Sequence, residues 1–99
     1  MSILSAEIYR KAEAELVHVL HECTPHLSAD AVGNVQHYLD NAELELAFES
    51  LLLSINQERV SVSQTSKQLL YPLGGLLGVV DDGVLIGNSW PTLCAVIKP

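Results

Sequence analysis

Five side chains that can bind metals are grouped within nine residues: His18, His21, Glu22, Cys23 and His26. A zinc-protease helix requires two histidines four residues apart on one face. Here His21 and His26 are five residues apart, and Pro25 interrupts the helix between them. Cys23 falls on the apolar side of the helix, away from His18. We therefore predict no metal site and interpret the histidines as surface residues near a helix C-terminus, where the dipole favours positive charge.

The sequence also gives little support for nucleophilic or acid–base catalysis. Cys23 lies in an apolar stripe and Cys94 in an apolar tail, where cysteines behave as small hydrophobic residues. The glycine-rich run at 74–78 lacks the Lys-Ser/Thr pair of a phosphate-binding loop, so we interpret its glycines as allowing close helix packing. Glu45 and Glu49 are one helical turn apart, but nothing in the sequence gives them the unequal environments that acid–base catalysis needs. We predict that the protein is not an enzyme and uses no cofactor.

The charge is strongly negative and unevenly distributed. The chain has 12 Asp and Glu residues against 5 Lys and Arg, a formal net charge of −7. From Ala12 to Glu58 there are nine acidic residues and no Lys or Arg. Because nucleic-acid affinity comes mainly from cations placed on phosphates, this composition argues against direct nucleic-acid binding. It favours a basic partner, although a generally acidic protein surface remains the alternative.

Length and composition indicate one globular domain over residues 1–99. Hydrophobic residues make up 48% of the chain and charged residues 17%, which excludes intrinsic disorder. The N-terminus lacks the pattern of a signal peptide, and the longest apolar stretch, 69–80, is far shorter than the ~20 residues that span a bilayer. Two cysteines are too few for a disulfide framework. We expect a cytoplasmic protein that does not bind membranes.

Apolar residues recurring at helical spacing predict four helices. The predicted helices span residues 5–23, 28–40, 42–57 and 63–78. Side chains suited to capping begin them: Ser5, Ser28, Asn41 and Ser63. The predicted buried faces begin at Ile8 in the first helix and reach Leu76 and Val80 in the fourth. Pro25 ends the first helix, whereas Pro72 kinks the fourth without splitting it, because the apolar spacing continues on both sides.

The helical pattern fades near the end of the chain. Asp82-Gly83 is typical of a turn, so a small hairpin closed by this pair is one interpretation of the segment. Residues 88–99 are predicted to form an irregular, packed tail anchored by Trp90 and Leu93. The predicted fold class is all-α: a compact four-helix bundle-like domain with an irregular C-terminal tail.

The third helix has apolar residues on both sides. Its inner stripe is Leu44, Ala47, Phe48, Leu51, Leu52 and Ile55, while Leu46 and Leu53 lie on the reverse side. The helix is therefore either central and covered on several sides, or it presents apolar anchors edged by acids to a partner. Its acids should remain near water, because unpaired carboxylates are costly to bury. The candidate binding residues are Asp40, Glu43, Glu45, Leu46, Glu49 and Leu53, followed by Asp81 and Asp82 on the later turn.

The same region carries a family resemblance. Residues 35–51 read Val-x-x-Tyr-Leu-Asp-Asn-Ala-Glu-Leu-Glu-Leu-Ala-Phe-Glu-x-Leu. They resemble the motif of small helical immunity proteins of bacterial polymorphic-toxin systems, including contact-dependent growth inhibition and Maf-type systems. Residues 60–63 and 73–78 are similar to the continuation of that motif, so the resemblance covers residues 28–80. Leu44 replaces a residue that is often aromatic in the family, and the tail from Val79 to Pro99 has no counterpart.

The resemblance implies a stoichiometric inhibitor that binds one toxin domain in the cytoplasm and occludes its active site. Many such toxins are nucleases, and the expected target is an RNase. A nuclease surface is basic because it must hold phosphates, so the acidic first half of the chain fits such a partner independently. Two alternatives remain. One is a small acidic helical adaptor or antitoxin-like regulatory module for a basic host protein; the other is a metal-dependent enzyme built on His18, His21 and Glu22.

Overall fold

The computed structural model describes residues 5–99, except for the side chains of residues 81 and 82. The α-helices are α1 (Ala6–Cys23), α2 (Ala29–Asp40), α3 (Leu44–Gln57), α4 (Gln64–Leu76), α5 (Val79–Asp82) and α6 (Trp90–Ile97). Short 3-10 turns occupy Thr24–His26 and Gly87–Ser89. Residues 5–99 contain no strand, so the predicted all-α class is confirmed.

Serine side chains begin three of the helices, as predicted. Ser5, Ser28 and Ser63 each accept a hydrogen bond from the backbone N–H three residues further on, at 3.1–3.2 Å. Each bond satisfies one of the N–H groups that an α-helix leaves free at its start. Helix α1 ends at Cys23, two residues before Pro25, also as predicted.

The prediction that Asn41 begins α3 is wrong. Asn41 ends α2 instead, and its side-chain amide donates to the His37 carbonyl oxygen at 2.8 Å. Ala42 then adopts a left-handed φ of 56°, and α3 begins only after Glu43. Asparagine suits both the start and the end of a helix, so its position alone does not separate the two roles.

Helix α3 lies at the centre of the fold. It packs most extensively against α2 and also contacts α1 and α6. Its predicted inner stripe is entirely buried. Ser50 and Ser54 are buried as well, so neighbours cover more than one side of this helix. The central-helix interpretation of its apolar character is therefore confirmed for most of its length.

The ends of two predicted apolar faces differ from the structure. Ile8 is 44% exposed, and Tyr9 packs against the core in its place. Of the face predicted for α4, Leu73 is buried, but Leu76 is exposed, as is Val80, which belongs to α5. The predicted face of α4 runs too far because the helix ends at Leu76 and Gly78, with a φ of 74°, turns the chain away.

The C-terminal segment is helical where an irregular tail or a hairpin was predicted. After the single helical turn α5, residues 84–86 form a turn that leads to α6. Pro91 occupies the first turn of α6, where its missing N–H costs no hydrogen bond. Leu93 is buried, and the partly buried Trp90 packs against the core, so both predicted anchors are confirmed.

Helix α4 runs unbroken through Pro72, as predicted, and then receives α6 at a glycine. A methyl group at Gly74 would overlap the Trp90 ring, whereas one at the adjacent Gly75 would meet nothing within 4 Å. Close packing at the glycine-rich run is therefore confirmed at Gly74 and absent at Gly75.

This difference gives a matched pair of substitutions. Gly74→Ala is expected to lower the free energy of unfolding by about 1–3 kcal/mol, because overpacking forces the ring or helix α6 to move. Gly75→Ala is expected to raise it by up to about 1 kcal/mol, because alanine favours the helix. Urea denaturation of both variants measures the two effects. Equal destabilisation would show that backbone conformation, and not the Trp90 contact, requires these glycines.

Candidate functional site

A groove of about 340 Å³ opens between α1, the start of α3 and the chain that follows α4. We call it the acidic groove; its lining residues are Tyr9, Ala42, Glu43, Leu44, Glu45, Leu46, Leu77 and Val84. Tyr9 comes from α1, and Leu77 directly follows the last residue of α4. Residues distant in sequence therefore form one surface.

The tight turn between α2 and α3 positions the two carboxylates. Backbone N–H groups of Ala42 and Glu43 donate to the carbonyl oxygens of Leu39 and Tyr38 at 3.2 and 2.8 Å, which fixes the turn. The Glu43 side chain makes no capping hydrogen bond, although it stands at the N-cap of α3. Glu43 and Glu45 are both exposed at the positive end of the helix dipole, which favours negative charge there.

The groove combines an apolar floor with a negative edge. Leu44 and Leu77 are buried, Leu46 is partly buried, and Val84 is 75% exposed at the rim. Its described lining includes two carboxylates and no Lys, Arg or His. An apolar centre with a charged rim is the usual anatomy of a protein–protein contact surface.

The Tyr9 side chain adds a polar group that the fold does not satisfy. Its hydroxyl is buried and has no hydrogen-bond partner among the residues that the structure describes. Burial raises the pKa of Tyr9 above its ordinary value of 10.0, and the nearby Glu13 carboxylate raises it further. The hydroxyl therefore stays protonated at neutral pH and keeps the capacity both to donate and to accept a hydrogen bond.

Removal of this hydroxyl tests whether it is unsatisfied. Tyr9→Phe is expected to raise the free energy of unfolding by about 1 kcal/mol, because a desolvated hydroxyl without a partner destabilises the fold. Tyr71→Phe, at a side chain 37% exposed, is the control and should change stability by less than about 0.5 kcal/mol. Thermal and urea denaturation measure both. A clear loss of stability in Tyr9→Phe would show that the hydroxyl is bonded in solution.

The structure separates the predicted binding residues into groups. Glu43, Glu45 and Leu46 come together in the acidic groove. Asp40 is exposed outside the lining and accepts a hydrogen bond from the Gln36 amide at 2.9 Å. Leu53 is partly buried, packs against the core and does not line the groove, so its role in a binding face stays a prediction. The side chains of Asp81 and Asp82 lie outside the described residues.

Glu49 contradicts its prediction most clearly. Its side chain is 1% exposed, and its Oε1 accepts hydrogen bonds from the backbone N–H groups of Leu85 and Ile86 at 3.0 and 3.2 Å. A Cβ at Gly83 would lie 2.7 Å from the same oxygen, so a glycine is what lets the chain approach this closely. The expectation of a solvated carboxylate is wrong because two backbone donors offset its desolvation.

Glu22 and Glu58 belong to the stretch 12–58 that contains no Lys or Arg, and each connects the ends of two helices. Glu58 accepts hydrogen bonds from the backbone N–H and hydroxyl of Ser28 at 2.6 and 2.9 Å. Glu22 accepts one from the Ser66 hydroxyl at 3.0 Å, and hydrogen bonds from Ser63 and Ser66 lower the pKa of Glu22. Part of the negative charge therefore stabilises the fold and is not free for a partner.

The histidine cluster does not form a metal site in the described part of the chain. No group of three or more His, Cys, Asp or Glu side chains there could hold a metal ion. Cys23 is buried, and burial raises the pKa of its thiol, so it is poorly suited to act as a thiolate ligand or nucleophile.

Five lining residues were not predicted as part of a site, among them Ala42 of the turn between α2 and α3. Leu44, Leu77 and Val84 appear in the sequence as ordinary apolar residues, and no local signal brings them together. For Tyr9 a signal exists: its spacing to Ala12 and Leu16 fits the helical period of the buried face.

A second groove, of about 620 Å³, lies between α1 and α4. It is lined by Ile8, Leu76 and other apolar residues, and its charged lining consists of Lys11 and Glu15. These charges balance, so this groove offers no electrostatic preference for a partner. Among residues 5–99, no helix is both long and apolar enough to cross a membrane.

The motif behind the immunity-protein resemblance consists mostly of packing residues. Ala47, Phe48 and Leu51 are fully buried, and Tyr38 packs against the core. Of residues 35–51, only Ala42 to Leu46 line the acidic groove. Comparison with protein-family models, curated proteins and solved structures finds no match to this chain.

Proposed function

We propose that this protein is a cytoplasmic immunity protein that binds a basic bacterial toxin domain and occludes its active site. The proposed toxin is a nuclease, more specifically an RNase, and binding requires no cofactor. The observation that carries the proposal is the acidic groove, where Glu43 and Glu45 edge an apolar floor without a cation among the described lining residues.

The chemistry of a nuclease complements this surface. A nuclease presents Lys and Arg to bind phosphates, and carboxylates placed against them would occupy the positions of the substrate charges. Apolar contacts to Leu44, Leu46 and Leu77 would supply affinity, since a few buried contacts carry most of the binding energy of an interface. An inhibitor of this kind needs binding surfaces and no catalytic group.

The runner-up is an acidic helical adaptor or antitoxin-like module that regulates a basic host protein. The acidic groove fits this module equally well, because its two carboxylates favour a basic partner whatever the activity of that partner. The two functions differ in the identity of the partner, so the experiment must offer the toxin itself.

Genes for immunity proteins lie immediately downstream of a toxin gene, so co-expression with the product of the upstream gene tests the proposal. We expect the two proteins to co-purify in equal amounts, the toxin's nuclease activity to be lost in the complex, and cells that express both to grow. A toxin domain with an unrelated sequence serves as the control and should remain active. No complex with the upstream product, together with undiminished killing of cells, would contradict the proposal and favour the adaptor.

A further inference from the structure

Glu49 is a buried carboxylate that lies outside the lining of the acidic groove. We propose that it is a positioning residue of the binding surface: through the backbone of the loop formed by residues 83–87, it fixes Val84 at the rim of the groove. This inference rests on the proposed function in so far as the groove binds the partner. It adds a buried residue on which binding depends although the partner does not touch it.

The loop is tied to α3 by the Glu49 side chain. Its Oε1 atom accepts hydrogen bonds from two consecutive backbone N–H groups, those of Leu85 and Ile86, at 3.0 and 3.2 Å. A further backbone hydrogen bond of 3.2 Å joins the last residue of the loop to its first. The loop is therefore closed on itself and held to the helix at two adjacent positions.

Val84 depends on these hydrogen bonds for its position. Its side chain is 75% exposed, and the neighbouring Leu85 is exposed as well, whereas Ile86 is buried. An exposed side chain makes few packing contacts, so its position follows from that of its backbone. The anchors nearest to it in the loop are the buried Ile86 side chain and the two hydrogen bonds to Glu49.

Helix α3 thereby determines both sides of the groove. Its first turn contributes the lining residues Leu44, Glu45 and Leu46, and Glu49 lies one turn after them. Val84 is the lining residue that the loop contributes. Because successive turns of a helix keep a constant spacing, a loop bound to Glu49 lies at a defined distance from the first turn.

A fixed position for Val84 favours binding. A loop that is ordered before the partner arrives loses less conformational entropy when the complex forms. The ionised carboxylate suits this role, since a hydrogen bond to a charged acceptor is about twice as strong as one between neutral groups. Glu49 thus orders the rim without occupying the surface that the partner needs.

Hydrogen exchange in the free, full-length protein tests whether Glu49 holds the loop. In Glu49→Ala the amide groups of Leu85 and Ile86 are expected to exchange at least about tenfold faster, beyond any change at the Leu52 amide of α3. Gly83→Ala should have the same local effect, because its Cβ would overlap the Glu49 oxygen and the Ile86 side chain. This second variant leaves α3 unchanged and keeps the test available if Glu49→Ala does not fold.

Leu20→Ala is the control for lost stability. Leu20 is buried near the end of α1, far along the helix from Tyr9, so its truncation weakens the core and leaves the loop's hydrogen bonds in place. Exchange should then rise uniformly at the slowly exchanging amides. If Glu49→Ala and Gly83→Ala show only the same uniform rise, Glu49 contributes to global stability alone and the proposal is overturned.

A double-mutant cycle tests the effect on the partner. Val84→Ala is expected to weaken binding to the product of the upstream gene by about 3–10-fold, and Glu49→Ala by a similar factor. Because Glu49 acts through Val84, both substitutions together should weaken binding no more than Val84→Ala alone. Calorimetric titration measures the affinities at a temperature where circular dichroism shows each variant folded. Losses that add independently would overturn the proposal.

The two proposals fail in different ways. A complex whose affinity is the same in Glu49→Ala, Val84→Ala and the unmodified protein would overturn the positioning role and leave the immunity function supported. Absence of any complex with the unmodified protein would contradict the immunity function, while exchange at Leu85 and Ile86 still decides whether Glu49 holds the loop.

Discussion

Charge reversal at the acidic groove, Glu43→Lys with Glu45→Lys, is expected to abolish protection against the proposed toxin while the protein remains folded. Both side chains are exposed, and neither makes a capping hydrogen bond in the described structure. Opposite charges accelerate association by steering, and the reversed pair would repel a basic surface. We expect the association rate to fall by about 10–100-fold at low ionic strength.

Salt provides a second signature of the same effect. For the unmodified protein the association rate should decrease as salt rises, because the Debye length shortens to about 8–10 Å near physiological ionic strength. The charge-reversed protein should show little of this dependence. Stopped-flow association kinetics in low and moderate salt, together with growth assays, measure both effects.

The control for this prediction is Glu7→Lys with Asp30→Lys. These acids lie in the first turns of α1 and α2, so the control loses similar helix-dipole interactions and changes the net charge equally. Neither lines the groove. If the control loses protection to the same degree, the total charge matters and the groove does not. Full protection by the folded Glu43/Glu45 variant would place the binding surface elsewhere.

Glu49→Ala is expected to lower the free energy of unfolding by about 2–4 kcal/mol. The substitution removes the acceptor of the Leu85 and Ile86 N–H groups, and the Ile86 hydrogen bond is buried. Donors left without an acceptor away from water keep their full desolvation cost. Urea denaturation followed by circular dichroism measures the change.

Glu49→Gln separates the acceptor from the charge. Glutamine retains a side-chain oxygen of the same reach, so we expect a loss of less than about 1 kcal/mol. A large loss in both variants would show that the negative charge itself is needed. No loss in Glu49→Ala would show that the two N–H groups reach water. Glu49→Lys, at a position that the sequence predicted to lie near water, is expected to prevent stable folding because it buries a cation against two donors.

The features that sequence analysis predicted correctly depend on neighbouring residues. The three serine caps and the apolar spacing of the first four helices act within a few positions of the chain, where helical period and capping chemistry apply. The clearest of the wrong predictions depends on contacts between residues far apart in the sequence. Glu49 reads as solvated because the donors that bury it lie 36 and 37 residues further along the chain.

The candidate site shows the same division. Glu43, Glu45 and Leu46 were predicted because they share one helix start. Tyr9 and Val84 reach the groove from the two ends of the chain, and only tertiary packing brings them there. The same holds for α6, whose contact with α4 depends on a glycine that leaves room for an indole ring.

The contact between Trp90 and Gly74 also provides a fluorescent probe of the packing of α6 on α4. Trp90 is the only tryptophan in the chain, and its ring lies against Gly74. Its fluorescence therefore responds to separation of α6 from α4, whereas far-ultraviolet circular dichroism averages over every helix. If the C-terminal helix undocks before the remainder unfolds, the emission change will precede the loss of ellipticity as urea increases. A partner that binds α6 would therefore shift the change in Trp90 emission to higher urea concentration, without an equal shift in the loss of ellipticity.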